Sequence, residues 1–383
     1  MHSDNTVATP KTKPKINVVI SRFIKKIPLY TKVCFIVFFA SLAVHIVSFI
    51  SPAFSDFFTR YIASLFRTVL ATLTGWIPFS IAETVLLLIP VLLVIYFALT
   101  HNYFIKRDKP ISLLIYGVIS ALMIMYSIAV MTFLTGYSNS TLDKKLGLDA
   151  EPVTSQDLHQ TATTVYGELE KLQEQIEFSS DGFSKMPYDI SEMSDKLLIS
   201  YKECSKKYTF LHNIQAKIKP VALSEAMSYT HITGVYTFFT GEANIDAAFP
   251  DFTIPYTAAH EFAHQRGIAR ENEANFVAFL ICINSDDPYI QYSGYINMLQ
   301  YLSNALAKAD RETYTAFYKS MNSKTQGEFK AYSAFFSKYR NSAASKVSGA
   351  VNDTYLKLQG TEGAVSYGMV VDLAVAYYSK NSQ

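Results

Sequence analysis

The chain has 383 residues, half of them hydrophobic and only 17% charged, with a formal net charge of +2. That is apolar for a soluble protein, and with no basic stripe among exposed aromatics it gives no reason to expect nucleic acid as a partner. Three cysteines (Cys34, Cys204, Cys282) cannot form a disulfide framework and lie at no zinc-ligand spacing from one another; Cys204 and Cys282 could pair, but all three read as buried apolar fillers.

The apolar excess sits in residues 1–135. Three stretches there match the roughly 20 residues a bilayer span needs: about 33–50, about 81–99 and about 111–134. His45 in the first is expected to be packed or interfacial, and Pro90 in the second to kink it. The first starts too late, and without a cleavage site, for a signal peptide. Lys11, Lys13, Lys15, Arg22, Lys25, Lys26 and Lys32 precede the first span, and Lys106, Arg107 and Lys109 separate the second from the third. Only Arg60 and Arg67 lie between the first and second, so the positive-inside rule places the N-terminus in the cytoplasm and residues 136–383 outside it. Between the first two spans, Phe54, Phe57, Phe58, Tyr61, Ile62, Leu65, Phe66, Val69, Leu70 and Leu73 mark one face of an amphipathic helix over about 54–74. That face reads equally as lying on the outer membrane surface or as packing on the soluble domain. Glu83 is expected to snorkel at the interface.

From Gly136 onward the pattern is mainly helical. Ser155 and Ser191 are the expected caps of two amphipathic helices, and further helices are predicted over 289–308, 310–321, 327–340 and about 364–379. "GVYTFFTGEANIDAAFPDFTIPYT", residues 234–257, breaks this pattern with β-branched and aromatic residues cut by Gly241, Pro250 and Pro255. It predicts one or two short strands with a turn at 241–244, directly before the motif "TAAHEFAHQRGIARENEANF".

In that motif His260 and His264 are four apart and share one helix face, a spacing that lets two imidazoles bind one zinc at about 2.0–2.1 Å. Glu261 between them is placed as a general base. Gly267 suits the helix C-terminus, and "ENEANFVAFLICI" reads as a second helix. A catalytic zinc takes three protein ligands, so the third is expected there. Glu271 is preferred, with Asn275 on its face to orient a ligand histidine. Glu273, about 200° away at 3.6 residues per turn, is the fallback. Glu273 and Arg270 otherwise flank the ligands. His231 and His212 read as ordinary core or surface histidines.

"HEFAH…ENEAN" resembles the gluzincin zinc metallopeptidases, where a glutamate from a following helix completes the histidine pair. It is similar to the E-x-x-A-N/D signatures of membrane-bound heat-shock and prenyl-protein proteases and of ImmA/IrrE-type peptidases, which maps the ligand onto Glu271 and the last position onto Asn275. The departure is the short gap of six residues after His264. "HEFAHQRGIAR" also looks like the metzincin pattern, but Arg270 stands where its third histidine belongs. "FTGEANI", "PDFTIPYTAAHEFAHQRGIARENEANF", "YSGY" and "YLKLQG…GAVSYGMVVDL" together look like a bacterial family of membrane proteins with a domain of unknown function, which implies a multi-pass protein of the bacterial inner membrane.

The expected fold is therefore three N-terminal transmembrane helices followed by a mainly helical, zincin-like α+β domain. Its short sheet lies beside the active-site helix. The expected function is a membrane-anchored zinc peptidase acting outside the cytoplasm on a peptide or protein substrate. Zinc polarises the carbonyl and lowers the pKa of water towards about 7, while Glu261 moves the proton to the leaving amine. "GVYTFF" would pair with the substrate backbone. Tyr367 and His231 are the candidates for stabilising the oxyanion, although each reads equally as a packed core residue. The rivals are a non-catalytic zinc-binding membrane sensor or assembly factor, against which an intact Glu261 argues, and a zinc amidohydrolase of cell-wall peptides.

Overall fold

The computed structural model describes residues 27–106, 112–148, 152–180, 182–340, 342–361 and 369–381. The molecule is mainly helical with one small sheet. In the N-terminal part come α1 (Leu29–Ile50), α2 (Pro52–Phe57), a π-helical turn (Phe58–Ala63), α3 (Ser64–Gly75), α4 (Ile81–Lys106) and α5 (Ser112–Thr132). Three helices are long and apolar enough to cross a membrane: Leu29–Ile50, Ile81–Leu99 and Leu114–Thr132, with mean hydropathies of 2.6, 2.5 and 2.2. Pro90 lies inside α4, which continues through it.

Two compact units divide the chain, and both are discontinuous: residues 1–42 with 91–127, and residues 43–90 with 128–383. In the first, the Ser120 hydroxyl donates to Thr31 Oγ1 at 3.1 Å, and Phe38 packs on Tyr126 with ring centroids 5.2 Å apart.

The second unit carries α6 (Leu142–Leu146), α7 (Ser155–Leu172), α8 (Ile190–Lys207), α9 (Ser224–Ser228), α10 (Ile254–Gln265), α11 (Glu271–Ile283), α12 (Pro288–Ala309), α13 (Arg311–Ser320), α14 (Ser323–Ser337), α15 (Ala343–Leu358) and α16 (Val370–Asn381). Its core runs through α7, α8, α10, α11, α12 and α16. The caps of α7 and α8 fall earlier than Ser155 and Ser191. Thr154 forms a capping box with Asp157, and the Asp189 side chain accepts the Glu192 amide, because a cap needs extended backbone ahead of the first turn. Cys204 and Cys282 are both buried free thiols, packed in this core.

The sheet has strands β1 (Lys219–Pro220), β2 (Gly234–Thr237) and β3 (Glu242–Ile245) in the order β1-β3-β2. β2 and β3 form the antiparallel hairpin that "GVYTFFTGEANI" predicts, with Val235 opposite Asn244. Its turn falls at 238–241, before the expected 241–244, and Gly241 takes a φ of 71° there. β1 pairs parallel to β3; two residues ending in proline carry no strand periodicity.

The helical run Pro52–Gly75 does not pack by the predicted apolar stripe. Its buried face is built on Ser55, Thr59, Ala63, Arg67 and Ala71, spaced four apart, with Phe58 and Ser64 beside them. Four residues of α-helix overshoot one turn by about 40°, so such a row drifts; the wider π turn at Phe58–Ala63 takes up the drift. The large apolar residues remain outside, with Phe57 53%, Tyr61 59%, Leu65 62% and Leu73 62% exposed. Only Phe58 of the predicted stripe is buried.

Arg67 is fully buried, and its guanidinium donates to the carbonyls of Thr59, Thr132 and Arg266 at 2.9, 2.9 and 3.3 Å. Thr132 ends α5 and Arg266 caps α10, so the cation lies at two helix C-termini, where the backbone offers negative partial charge.

Glu83 does not snorkel. Its carboxylate accepts the amides of Ala222 and Leu223 at 2.8 and 2.9 Å, just ahead of α9. In return Glu242 of β3 accepts the amides of Ile81 and Ala82, at 3.0 and 2.9 Å, where α4 begins. Lys219 pairs with the same carboxylate. A carboxylate at a helix N-terminus meets otherwise unpartnered N–H groups, and here the two exchanges tie the start of an apolar helix to the sheet.

Candidate metal centre

α10 follows the hairpin through a short 3-10 turn, Asp251–Thr253, with Pro255 in its first turn, where a missing N–H is harmless. Every residue of α10 except His260 is buried. The Tyr201 hydroxyl donates to the Ala259 carbonyl at 2.5 Å, and Phe262 packs edge-on against the Tyr201 ring. The helix ends as Gly267 predicts. With a φ of 92°, Gly267 donates to the His264 carbonyl at 2.9 Å and Ile268 to the Ala263 carbonyl at 3.1 Å, the hydrogen-bond pattern of a Schellman cap. A Cβ at Gly267 would lie 2.7 Å from the Arg67 guanidinium, so close approach requires glycine as well.

The turn leads into α11, whose first residue is Glu271. Glu271 Oε2 lies 3.2 Å from His260 Nε2 and 3.5 Å from His264 Nε2. One nitrogen or oxygen from each of the three side chains lies within 4.8 Å of the others, the arrangement of a metal site. Residues 266–270 are therefore enough to turn the chain, and the short gap is no obstacle. The His264 Nδ1 is 2.7 Å from the Ile268 carbonyl, which leaves Nε2 facing the cluster, and Phe133 packs edge-on against the ring.

The charged groups of the cluster stabilise one another. Burial opposes charge on His264, but Glu271 outweighs it and raises the imidazole to about 9. Burial likewise opposes charge on Glu271, yet the two histidines hold its carboxyl far below the usual range. Glu261 behaves differently: burial pushes it up, against the pull of His260 and His264. Its Oε2 and the His260 Nδ1 are buried without a hydrogen-bond partner.

Strand β2 passes directly over Glu261. A Cβ on Gly234 would meet Glu261 Oε1 at 2.6 Å, and the Tyr236 amide bonds to the carboxylate. Asp246 donates to the Thr233 carbonyl, so by antiparallel alternation Val235 and Thr237 bond to β3, while Gly234 and Tyr236 turn their main-chain groups to the open edge.

The remaining predicted residues lie elsewhere. Glu273 accepts the Leu142 amide at 3.0 Å and pairs with Arg270 at 2.8 Å; Arg270 also donates to the Asn139 carbonyl. Both anchor α11 to the chain ahead of it and touch neither histidine. Among the described residues no hydrogen bond joins Asn275 to a histidine; its Nδ2 is unpartnered, and its carbonyl accepts from Tyr256. His231 has a φ of 61°, sits 2.9 Å from the Tyr339 carbonyl and packs on Phe336. Tyr367 lies outside the described residues.

Sequence reasoning missed two tyrosines. Burial and then, after a hydrogen bond from Tyr137 that pulls the other way, the charge of Glu271 hold Tyr355 above the usual phenol range. Burial, Tyr332 and Glu271 do the same to Tyr301.

Residues 58–375 match the family described as a protein of unknown function, DUF3810. The chain belongs to that family. No curated protein and no solved structure matches it.

Proposed function

We propose that this chain is a membrane-anchored zinc-dependent peptidase of zincin-like fold, with its helical domain outside the cytoplasm of a bacterial cell. The observation that carries the reading is the convergence of His260, His264 and Glu271 next to the buried Glu261, whose Oε2 has no partner. Two imidazoles and a carboxylate suit zinc in a catalytic site, which leaves one position open. Bound zinc supplies Lewis-acid polarisation of a carbonyl and acidifies water.

The chain's own residues do the rest. Glu261, raised by burial, is poised as a general base that takes a proton from water and returns it to the leaving amine. Its Tyr236 contact keeps it under β2. β2 is the outer strand of its sheet, and the main-chain groups of Gly234 would pair with an extended peptide next to Glu261. Tyr355, whose phenol is raised by burial and then by the charge of Glu271, joins Tyr367 and His231 as a candidate for stabilising the developing oxyanion.

The test is metal content and peptide cleavage of the purified full chain. His264→Ala and Glu271→Ala should lose zinc, Glu273→Ala should keep it, and Glu261→Gln should keep zinc and lose cleavage by roughly 10²–10⁴-fold. Cleavage by Glu261→Gln at the wild-type rate would defeat the enzyme reading, and full zinc in Glu271→Ala would defeat the ligand assignment.

A further inference from the structure

Behind the Arg266–Ile268 turn lies a cavity of about 250 Å³. Asp56 and Arg60 line it from the Pro52–Gly75 run, facing Lys145, His212 and Arg266. The charges of this lining do not balance. Lys145 Nζ is 2.9 Å from Asp56 Oδ1, so the one carboxylate in the lining is already matched. Arg266 is 1% exposed and donates to the carbonyls of Phe262 and Ile214, at 3.0 and 2.7 Å; its buried Nε has no partner. Arg67, against Gly267, bonds only to carbonyls. Arg60 is exposed and touches the face of Tyr61. Among the described residues, none of these three guanidinium groups has an ion-pair partner.

Arg67 and Arg266 can be read as clamps on helix C-termini, which explains their carbonyl bonds. That reading leaves Arg60 unexplained, a guanidinium on the lining of an open volume. The neighbourhood is positive enough to be felt by His212: burial first, then Arg67, Arg60 and Arg266, push its imidazole down to about 4.

Planar guanidinium groups match the oxygens of a phosphate better than any other common anion except a carboxylate. The setting favours phosphate. Arg60 lies between the exposed Phe57 and Tyr61, on a helical run that follows one membrane-length helix and precedes another. An amphipathic helix tethered in this way rests its apolar face at the headgroup level, where phosphates are concentrated.

We propose that this cavity binds a phosphate group, supplied by the headgroup of an anionic phospholipid whose acyl chains lie against Phe57, Tyr61 and Leu65. The site does not depend on the zinc or peptidase reading.

The test uses the full chain in nanodiscs of phosphatidylcholine, with or without phosphatidylglycerol. Wild type is compared with Arg60→Gln, Arg60→Glu and Lys171→Gln, the last removing a charge from a side chain that is 71% exposed on α7. Native mass spectrometry reads retained phosphatidylglycerol, a second arm titrates inorganic phosphate, and melting curves check folding. Wild type and Lys171→Gln should retain phosphatidylglycerol equally, Arg60→Gln should weaken retention by about tenfold, and Arg60→Glu should abolish it. Phosphate binding that needs Arg60, without retained lipid, would overturn the lipid source and leave free phosphate as the ligand. Retention that ignores both Arg60 variants, or binding of neither probe, would overturn the site.

Discussion

Two helical segments of this protein bury opposite kinds of residue. In α10, the histidine helix, large apolar and polar side chains are enclosed on all sides, and Phe262 and Ala263 are 0% exposed. In the Pro52–Gly75 run, the buried face is Ser, Thr, Ala and Arg, and the bulky residues point outward. α10 is held by packing around all of its residues but His260, and it keeps Glu261 inside although the carboxylate Oε2 has no hydrogen-bond partner there. The Pro52–Gly75 run inverts the usual arrangement, as a helix whose apolar face rested in lipid would. Where each segment gets its stability should therefore differ, and substitutions can expose that difference.

The largest effect belongs to α10. Phe262→Ala removes a fully buried ring that packs against Tyr201 and should destabilise the fold by about 3–5 kcal/mol, read as a fall in thermal midpoint in detergent. A loss below about 1 kcal/mol would mean that the helix is less tightly enclosed than its burial implies.

Gly267→Ala comes next. The substitution forces an L residue to a φ of 92° and drives a methyl to 2.7 Å from the Arg67 guanidinium. Strain and overpacking together should cost about 2–4 kcal/mol. Because Arg67 joins Thr59, Thr132 and Arg266, the effect should reach both segments at once. Hydrogen exchange should rise in α10 and in the Pro52–Gly75 run alike; a rise confined to α10 would show that Arg67 does not couple them.

His212 supplies a smaller, pH-dependent effect. Its folded-state pKa is lowered to about 4 from 6.5, so below pH 6.5 the unfolded chain takes up a proton that the folded chain refuses. Stability should fall as pH drops from 6.5 and level off below about 4. Taking the difference between wild type and His212→Asn isolates this slope from the carboxylates that titrate in the same range. A flat difference curve would mean that His212 is better solvated than its surroundings suggest, and an anion held beside it would raise the folded-state pKa, so that the fall would level off at a higher pH.

The convergence of His260, His264 and Glu271 was legible because its information is local. Two histidines four apart, a glycine that can turn the chain and a glutamate opening the next helix are all read from helical geometry. The β2–β3 hairpin was legible for the same reason. What escaped depends on contacts distant in sequence. Glu83 and Glu242 cap helices some 140 and 160 positions away, and nothing near either residue announces its partner. Tyr355 is one of 26 tyrosines, distinguished only by the chain bringing it near Glu271. Gly234 was a local signal left unread: a glycine opening a strand marks close approach, here of the Glu261 carboxylate. Helix α15 was a second local signal left unread: Val347, Val351 and Tyr355 recur four apart in "AASKVSGAVNDTYLKL", although the fold buries only Leu356 of that helix.

The smallest expected effect tests the comparison most directly. Leu65 lies on the predicted apolar stripe, yet it is 62% exposed. If the stripe were a core face, Leu65→Ser would cost several kcal/mol. With the side chain outside the fold, the melting midpoint of the protein in detergent should move by less than about 0.5 kcal/mol equivalent. The same substitution in a bilayer removes apolar area from lipid, so the fluorescence of Trp76, itself 79% exposed at the end of this run, should shift towards that of a water-exposed indole. A large destabilisation in detergent with no change in Trp76 emission would reverse the assignment. It would mean that the apolar face of Pro52–Gly75 is covered by protein, as α10 is, rather than by lipid.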